Sequence, residues 1–267
     1  MRHRLVTAGM FCLFLSHTAF TQFKPEEMMK PYVYTNEQGE ALACQLWAPQ
    51  FPKPDKKYPL ILFLHGSGEC GNDNILQTRA GLPTLLKRLV LLPDPVIVVA
   101  PQCQNGNWWV KKLAMHPDYK AAKEPTPSLE VAVELCQHLI QAKQADPDRL
   151  YITGLSLGGF GTWDAIQRDP AFFAAAVPIC GGGDPRFAAS LKDLPLWVFH
   201  GREDKNVPVD TSRRMVQALQ AAGSDVIYTE YEKGSHLIWD EAYSEKQLVP
   251  WLLKQTRATK KPWWKFW

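Results

Sequence analysis

Residues 149–163, RLYITGLSLGGFGTW, decide the fold, because a strand-like run passes into a helix-like run through glycines that flank one serine. The run that ends at Gly154 is apolar and β-branched, which predicts a buried strand. GLSLG, residues 154–158, matches G-x-S-x-G, the pattern of a sharp strand-to-helix turn that holds a serine outward. Glycine loses more backbone entropy on folding than other residues, so its repeated use here indicates a tight turn that displays Ser156.

The alternation of strands and helices continues on both sides of this turn. Apolar or β-branched runs predict further strands, at residues 60–66, 95–102, 172–182, 194–201 and 225–232. Helical patterns predict helices, at residues 128–145, 157–170, 211–223 and 240–255, with a kink at Pro250 in the last of them. Two strand-like runs around Gln38-Gly39 predict an antiparallel hairpin at the sheet edge. The whole pattern predicts an α/β fold, with a mostly parallel sheet and helices on both faces.

Composition bounds the class of protein. The chain has 267 residues, 46% of them hydrophobic, and a formal net charge of +3. This length and apolar content suit one large core, so we predict a single domain over residues 22–259. No run of lysine and arginine is long enough to indicate nucleic-acid binding. The sequence contains no zinc, Walker or dinucleotide motif, so we predict neither a metal nor a cofactor.

The first 21 residues have the pattern of a secretory signal peptide. Arg2 and Arg4 give a basic start, residues 5–15 are mostly apolar, and small or polar residues follow. The apolar run is too short for a comfortable transmembrane span. We therefore predict cleavage near Thr21 or Gln22 and a secreted or periplasmic protein. An uncleaved anchor or a buried helix is the alternative.

Five cysteines follow the predicted signal peptide, at positions 44, 70, 103, 136 and 180. Export permits disulfides, and the odd number leaves at least one thiol unpaired. Cys70 and Cys103 both follow predicted strands on the same side of the sheet, so a bridge between them is one interpretation, although Cys180 is an equally near partner. Buried free thiols are the other interpretation.

A serine hydroxyl becomes a nucleophile only with the help of a base. After a G-x-S-x-G turn the partners follow in the order acid and then histidine, each beyond a later strand. His236 stands in that position and is predicted to take the proton of Ser156, while Asp204 holds and balances the imidazolium. Glu203 and Asp210 are alternatives for the acid, and the turn predicted at Asp204 favours Asp204.

The tetrahedral intermediate of acyl transfer needs two backbone N–H donors. Leu157, the residue after the serine, supplies one in this kind of turn. We assign the second donor to the amide of Ser67, in the loop after an early strand, with Gly68 as the alternative. His65 and His200 each precede a glycine at a predicted strand end, and we interpret both as histidines that hydrogen-bond within turns rather than as metal ligands.

Six segments together resemble α/β-hydrolases of the predicted-peptidase and esterase group, related to polyhydroxybutyrate depolymerase-like and feruloyl-esterase-like enzymes. They are LHGSGECGND, PQC with the Trp108-Trp109 pair that follows it, GLSLGGFGTWD, PICGGGD, HGREDKNVPV and GSHLIWDEAY. They lie between about residues 60 and 243. The resemblance implies the α/β-hydrolase fold for residues 22–259 and the Ser–Asp–His arrangement. Cys70 departs from it, since a charged residue, often arginine, is expected there.

The resemblance and the predicted residues lead to a secreted serine ester hydrolase that forms an acyl-enzyme. Trp108, Trp109 and Trp239 follow strand ends, where open parallel sheets build their sites, and are predicted to bind substrate. Indole walls suit flat or sugar-bearing groups, so we expect short acyl or hydroxycinnamoyl esters, free or linked to polysaccharide. A serine peptidase of this fold is one alternative, and a catalytically inactive binding protein is another.

The chain ends in KKPWWKFW, residues 260–267, which mixes aromatic and basic side chains. Such a mixture suits a membrane interface and predicts weak surface association with lipid or glycan. A segment that packs its indoles on the domain, or a disordered end, is the alternative.

Overall fold

Eight strands form one sheet in the computed structural model, which describes residues 28–49, 52–142 and 144–257. The strands are β1 (Lys30–Thr35), β2 (Ala41–Trp47), β3 (Tyr58–Leu64), β4 (Ile97–Pro101), β5 (Ala145–Leu155), β6 (Ala175–Ile179), β7 (Trp197–Gly201) and β8 (Ile227–Tyr231). Their order across the sheet is β1-β2-β4-β3-β5-β6-β7-β8. Pairing is antiparallel from β1 to β2 and from β2 to β4, and parallel elsewhere, so the predicted edge hairpin and mostly parallel sheet are confirmed.

Helices cover both faces of this sheet. Those in the described part of the chain are α1 (Leu82–Leu89), α2 (Pro127–Gln141), α3 (Leu157–Arg168), α4 (Ala188–Leu191), α5 (Asp210–Ala221), α6 (Trp239–Ser244) and α7 (Leu248–Lys254). Short 3₁₀ turns occupy Ser67–Glu69, Leu76–Thr78 and Pro185–Phe187. Apolar residues of α2, α3 and α5 join one buried cluster, and those of α1, α6 and α7 join a second cluster.

The central strand β3 shows how the sheet is covered. Leu60, Leu62 and Leu64 belong to the first apolar cluster, whereas Ile61 and Phe63 belong to the second. Side chains alternate between the faces of a strand, so a strand covered on both faces must be apolar throughout. All five side chains are fully buried, and each contributes about 1.5–3 kcal/mol relative to exposure.

The helices differ from the prediction in two places. Helix α1 was not predicted, although Leu82, Leu85 and Leu89 lie on one buried face at helical spacing. The predicted single helix at residues 240–255 is divided into α6 and α7, and the predicted kink at Pro250 is wrong. Pro250 lies in the first turn of α7, where its missing N–H breaks no helical hydrogen bond.

Three other sequence predictions concern the chain termini and the cysteines. The predicted signal peptide and the aromatic tail lie outside the described residues. Within the described ranges, no helix is both long and apolar enough to span a bilayer. The five cysteines there are free, so the bridge between Cys70 and Cys103 is wrong. Cys103 is fully buried, whereas the Cys70 thiol faces the carbonyl oxygen of Asn107 at 3.8 Å.

Candidate active site

The turn between β5 and α3 presents Ser156 in a strained backbone conformation. Its φ is +53°, in the left-handed region that residues with a side chain seldom adopt. Such a conformation costs on the order of 1–3 kcal/mol and persists only where the surroundings impose it. Here the Ser156 N–H donates to the carbonyl of Ile179 at 2.9 Å, and the Ser156 carbonyl accepts from the Phe160 N–H at 3.0 Å. The half-buried serine side chain therefore stands at the carboxyl ends of the parallel strands.

The flanking glycines are required by contacts across the turn. A Cβ on Gly154 would lie 2.3 Å from the carbonyl oxygen of Gly158. A Cβ on Gly158 would lie 1.9 Å from the carbonyl oxygen of Leu64, the last residue of β3. Both distances are far inside van der Waals contact, so the first turn of α3 packs directly against the backbone of β3.

Three of the predicted residues form one hydrogen-bonded chain. Nδ1 of His236 lies 2.6 Å from Oδ2 of Asp204, and Nε2 of His236 lies 2.9 Å from Oγ of Ser156. A carboxylate only accepts hydrogen bonds, so Nδ1 carries the ring proton and the free Nε2 accepts the serine proton. His236 and Asp204 are both buried, while the hydroxyl stays within reach of solvent. This geometry suits proton abstraction from the serine.

Asp204 is held as an anion by its surroundings. Burial by itself would raise the pKa of this carboxyl, but hydrogen bonds from His200, His236 and the Val207 amide hold the pKa well below its ordinary value. The amides of Asn206 and Val207 both donate to Oδ1 at 2.8 Å. Asp204 is therefore ionised and oriented wherever the protein is folded near neutral pH.

The two alternative acids lie elsewhere. Glu203 has an exposed side chain, and Asp210 pairs with Arg213 at 3.1 Å. The carboxylate that reaches His236 in the described part of the chain is that of Asp204. The loop after β7 thus separates three neighbouring acids into one buried partner of the histidine and two surface groups.

A third titratable side chain lies close to this pair. This side chain is Cys180, and its Sγ lies 3.6 Å from the carbonyl oxygen of His236. One possible metal-binding atom each of Cys180, Asp204 and His236 lies within 4.8 Å of the other two. Three such side chains are in principle able to hold a metal ion. Here burial raises the pKa of the Cys180 thiol, and the His236 and Asp204 atoms are bonded to each other. The group is arranged as a hydrogen-bonded pair beside a neutral thiol rather than as a metal centre.

The two segments that carry the predicted oxyanion donors both adjoin Ser156. Leu157 is the first residue of α3, and the first amides of a helix have no intrahelical acceptor. On the opposite side, a Cβ on Gly66 would lie 3.6 Å from Cβ of Ser156, so the loop that carries Ser67 borders the serine. The predicted donors Ser67 and Leu157 therefore lie on segments next to Ser156.

The orientation of the Ser67 amide is set by His65. The Cys103 N–H donates to Nε2 of His65 at 2.9 Å, so Nδ1 carries the proton and donates to the Gly66 carbonyl at 2.6 Å. The Glu69 N–H donates to the same carbonyl at 3.3 Å. A trans peptide points its C=O and N–H in opposite directions, so fixing the Gly66 carbonyl also fixes the Ser67 N–H.

His65 makes stability depend on pH. Burial, partly opposed by the hydrogen bond to Gly66, lowers the pKa of His65 to about 4. The pKa of an unfolded histidine is near 6.5. Between about pH 4 and pH 6.5 the unfolded chain therefore binds a proton that the folded protein excludes, and the free energy of unfolding falls as the pH falls.

We expect His65→Gln to remove about 2 kcal/mol of the loss in unfolding free energy between pH 7 and pH 4.5. Urea titrations at both pH values measure it, and equal losses in the two proteins would contradict it.

The three predicted substrate-binding tryptophans have different surroundings. Trp108 is 44% exposed, and Trp239 is half-buried with its ring edge-on to His236 at a centroid distance of 5.6 Å. The prediction for Trp109 is wrong, because its side chain is fully buried. Its Nε1 donates to the His65 carbonyl at 3.0 Å, and its ring packs edge-on to the His65 imidazole. Trp109 supports the Ser67 loop from within the core.

Sequence reasoning underestimated the two turn histidines. His65 and His200 do hydrogen-bond within turns, as predicted, but both reach residues of the candidate site: His65 acts on the Gly66 peptide and His200 lies 3.3 Å from Asp204. The sequence does contain a signal for this role. A His–Gly pair, with Gly66 in one case and Gly201 in the other, follows each of two buried strand-like runs. A polar ring at the end of an apolar strand is unusual unless it has buried partners.

Comparisons with known proteins show the family of the chain. A family model described as phospholipase/carboxylesterase matches residues 51–246. Acyl-protein thioesterase 1 homolog 2 of Dictyostelium discoideum is 29% identical over 167 residues, which are 55% of this chain and 70% of that protein.

Solved structures of esterases are similar to this chain. A thermostable esterase superposes with a TM-score of 0.78 at 37% identity, over 86% of this chain and 64% of its own chain. The present chain thus spans slightly less than two thirds of that esterase. A ferulic acid esterase superposes with a TM-score of 0.64 at 19% identity, over 85% of this chain and 98% of its own, a likeness that shows the fold alone.

Proposed function

The chain belongs to the phospholipase/carboxylesterase family of α/β hydrolases, and from this premise we propose that it is a serine ester hydrolase that works through an acyl-enzyme. The observation that carries the proposal is the chain of hydrogen bonds from Ser156 to His236 to Asp204. The strained Ser156, the Nε2 atom of His236 and the ionised Asp204 occupy the three positions that nucleophilic acyl transfer requires.

The proposed reaction has two halves. His236 Nε2 takes the proton of Ser156 as Oγ bonds to the ester carbonyl carbon, and Asp204 stabilises the resulting imidazolium. The amides of Ser67 and Leu157 receive the negative charge on the carbonyl oxygen. The bond to the alcohol breaks, and the alcohol leaves with the proton from His236. Water then attacks the acyl-enzyme by the same steps and releases the acid.

We propose carboxylic esters with a flat or sugar-bearing group as the substrate class. The protein's resemblance to an acyl-protein thioesterase and to esterases supports acyl transfer from oxygen or sulfur rather than from nitrogen. Trp108 supports a flat group, because its indole is exposed in the loop that follows β4. The loop of Asn107 contacts Cys70, which directly follows the Ser67–Glu69 turn.

We expect kcat/KM for acetyl and feruloyl esters to exceed that for matched peptide amides by at least about 100-fold, because an ester loses a better leaving group than an amide. Trp108→Ala is expected to lower kcat/KM for feruloyl esters about 5- to 20-fold and for acetyl esters less, since stacking on the indole is lost. Steady-state kinetics on the acetyl ester, the feruloyl ester and their matched peptide amides measure both effects.

Val33→Ala is a matched control, since Val33 is an exposed apolar residue on the edge strand β1. Faster cleavage of amides would replace the esterase proposal with the peptidase alternative. Equal losses for feruloyl and acetyl esters in Trp108→Ala would remove the indole from the binding site.

We also propose that the enzyme is exported to the periplasm or the medium and that its last eight residues associate weakly with a surface. The basic start and apolar run of residues 1–15 support export. The mixture of tryptophans and lysines in residues 260–267 supports a weak contact with lipid or glycan.

A further inference from the structure

We propose that His200 is a positioning residue that holds the carboxylate of Asp204 for His236, a role that rests on the proposed function. His200 lies near the end of β7 and is fully buried. Its Nε2 lies 3.3 Å from Oδ2 of Asp204 and 3.0 Å from the carbonyl oxygen of Val207. Both of these oxygens can only accept, so Nε2 carries a proton, which it donates to the Val207 carbonyl and holds close to Oδ2.

The other ring nitrogen fixes the orientation of the imidazole. Nδ1 of His200 lies 2.8 Å from Oγ of Ser212, in the first turn of α5. With the ring proton on Nε2, this hydroxyl donates its proton to Nδ1, and the carbonyl oxygen of Gly181 lies 2.7 Å from the same Oγ. The ring is therefore attached to the strand, to the loop after it and to a helix, and it cannot rotate without losing hydrogen bonds at both nitrogens.

Oδ2 of Asp204 consequently faces two imidazoles. His236 donates to it from Nδ1 at 2.6 Å, and the Nε2–H of His200, which is hydrogen-bonded to the Val207 carbonyl, lies 3.3 Å from the same oxygen. The amides of Asn206 and Val207 occupy the other carboxylate oxygen. Each donor withdraws negative charge, so His200 reduces the charge that Oδ2 offers to a protonated His236.

The titratable groups that face His200 are few. From its own loop it faces Asp204, and through that carboxylate it is coupled to His236. From the end of β6, the Cys180 thiol lies beside the same carboxylate, and burial raises its pKa, so it remains neutral. Helix α5 presents the hydroxyl of Ser212, and Glu230, the register partner of His200 on β8, is paired with Arg213 of that helix. A change at His200 therefore acts on the pH dependence of the reaction through Asp204 and His236.

The test compares His200→Phe, which keeps a planar ring without a donor, with His200→Gln, whose amide N–H can reach the position of Nε2. For His200→Phe we expect the midpoint of the acid limb of kcat/KM for a small ester to move up by about 0.5–1 pH unit, since the lost donor returns charge to Oδ2. We expect kcat to fall about 10-fold. His200→Gln should recover the wild-type midpoint.

A purely structural role would lower the melting temperature and leave this midpoint in place, and that result in a folded His200→Phe would overturn the proposal. If His200→Phe does not fold, Ser212→Ala gives the same test, because it frees the ring at Nδ1 and should move the midpoint in the same direction by less. An unchanged midpoint in Ser212→Ala would then decide against the proposal.

A second measurement separates this role from the proposed function. An NMR titration of the His236 ring without substrate should show the same upward shift in His200→Phe. If the protein hydrolysed no ester, the proposed function would fail while this titration still decided the role of His200. If esters were hydrolysed but neither midpoint moved, the proposed function would stand and the role of His200 would not.

Discussion

Ser156→Ala is expected to lower kcat/KM for a small ester by about 10⁴-fold or more, because loss of a triad nucleophile leaves only binding and oxyanion stabilisation. The fold should be unaffected. Alanine keeps the same backbone cost at φ +53°, and the serine hydroxyl is not needed for the backbone hydrogen bonds that hold the turn. Steady-state kinetics with purified wild type and variant measure the loss, and circular dichroism with thermal unfolding checks the fold.

Ser190→Ala is the matched control. Ser190 lies exposed on helix α4, and its hydroxyl donates to the carbonyl of Phe187, the residue before that helix. It should retain wild-type kinetics. A fluorophosphonate probe should label the wild type and Ser190→Ala and leave Ser156→Ala unlabelled. Near wild-type turnover or labelling in Ser156→Ala would show that another nucleophile carries the reaction. An unlabelled wild type would favour the inactive binding protein.

Asp204→Asn is expected to lower kcat by about 10⁴-fold, the loss typical of a triad whose acid becomes an amide. The environment of Asp204 gives the reason. The amides of Asn206 and Val207 and the Nδ1–H of His236 all donate to it, and an amide has a single acceptor oxygen. If this oxygen faces Asn206 and Val207, the amide NH₂ faces His236 and forces the proton from Nδ1 to Nε2. In that tautomer the histidine cannot accept the proton of Ser156.

Glu203→Gln is the matched control, because Glu203 is the adjacent acid on the same loop and its side chain is exposed. Kinetics of the two variants decide between the acids. A large loss in Glu203→Gln with activity retained in Asp204→Asn would reverse the assignment. Because the pKa of Asp204 is held well below its usual range, activity should remain insensitive to the titration of this acid through the neutral range.

Local pattern was sufficient for much of this protein. The apolar run of β3 and the LYI run in the second half of β5 identified strands covered on both faces, since the side-chain period of a strand is visible in a few residues. The turn at residues 154–158 was predictable because its requirement for small residues is local. The order of Ser156, Asp204 and His236 placed each after a strand, and parallel strands bring their carboxyl ends to one edge.

The sequence by itself thus determined the fold class, the display of the serine and the set of residues at one edge of the sheet. The tertiary structure alone decided which side chains there meet. It buried Trp109 and left Trp108 exposed, although the two are neighbours of the same type. It also brought His200 to Asp204 and His65 to the Gly66 peptide. Periodicity and turn chemistry act over a few residues, whereas these contacts depend on how distant elements pack, which no local pattern encodes.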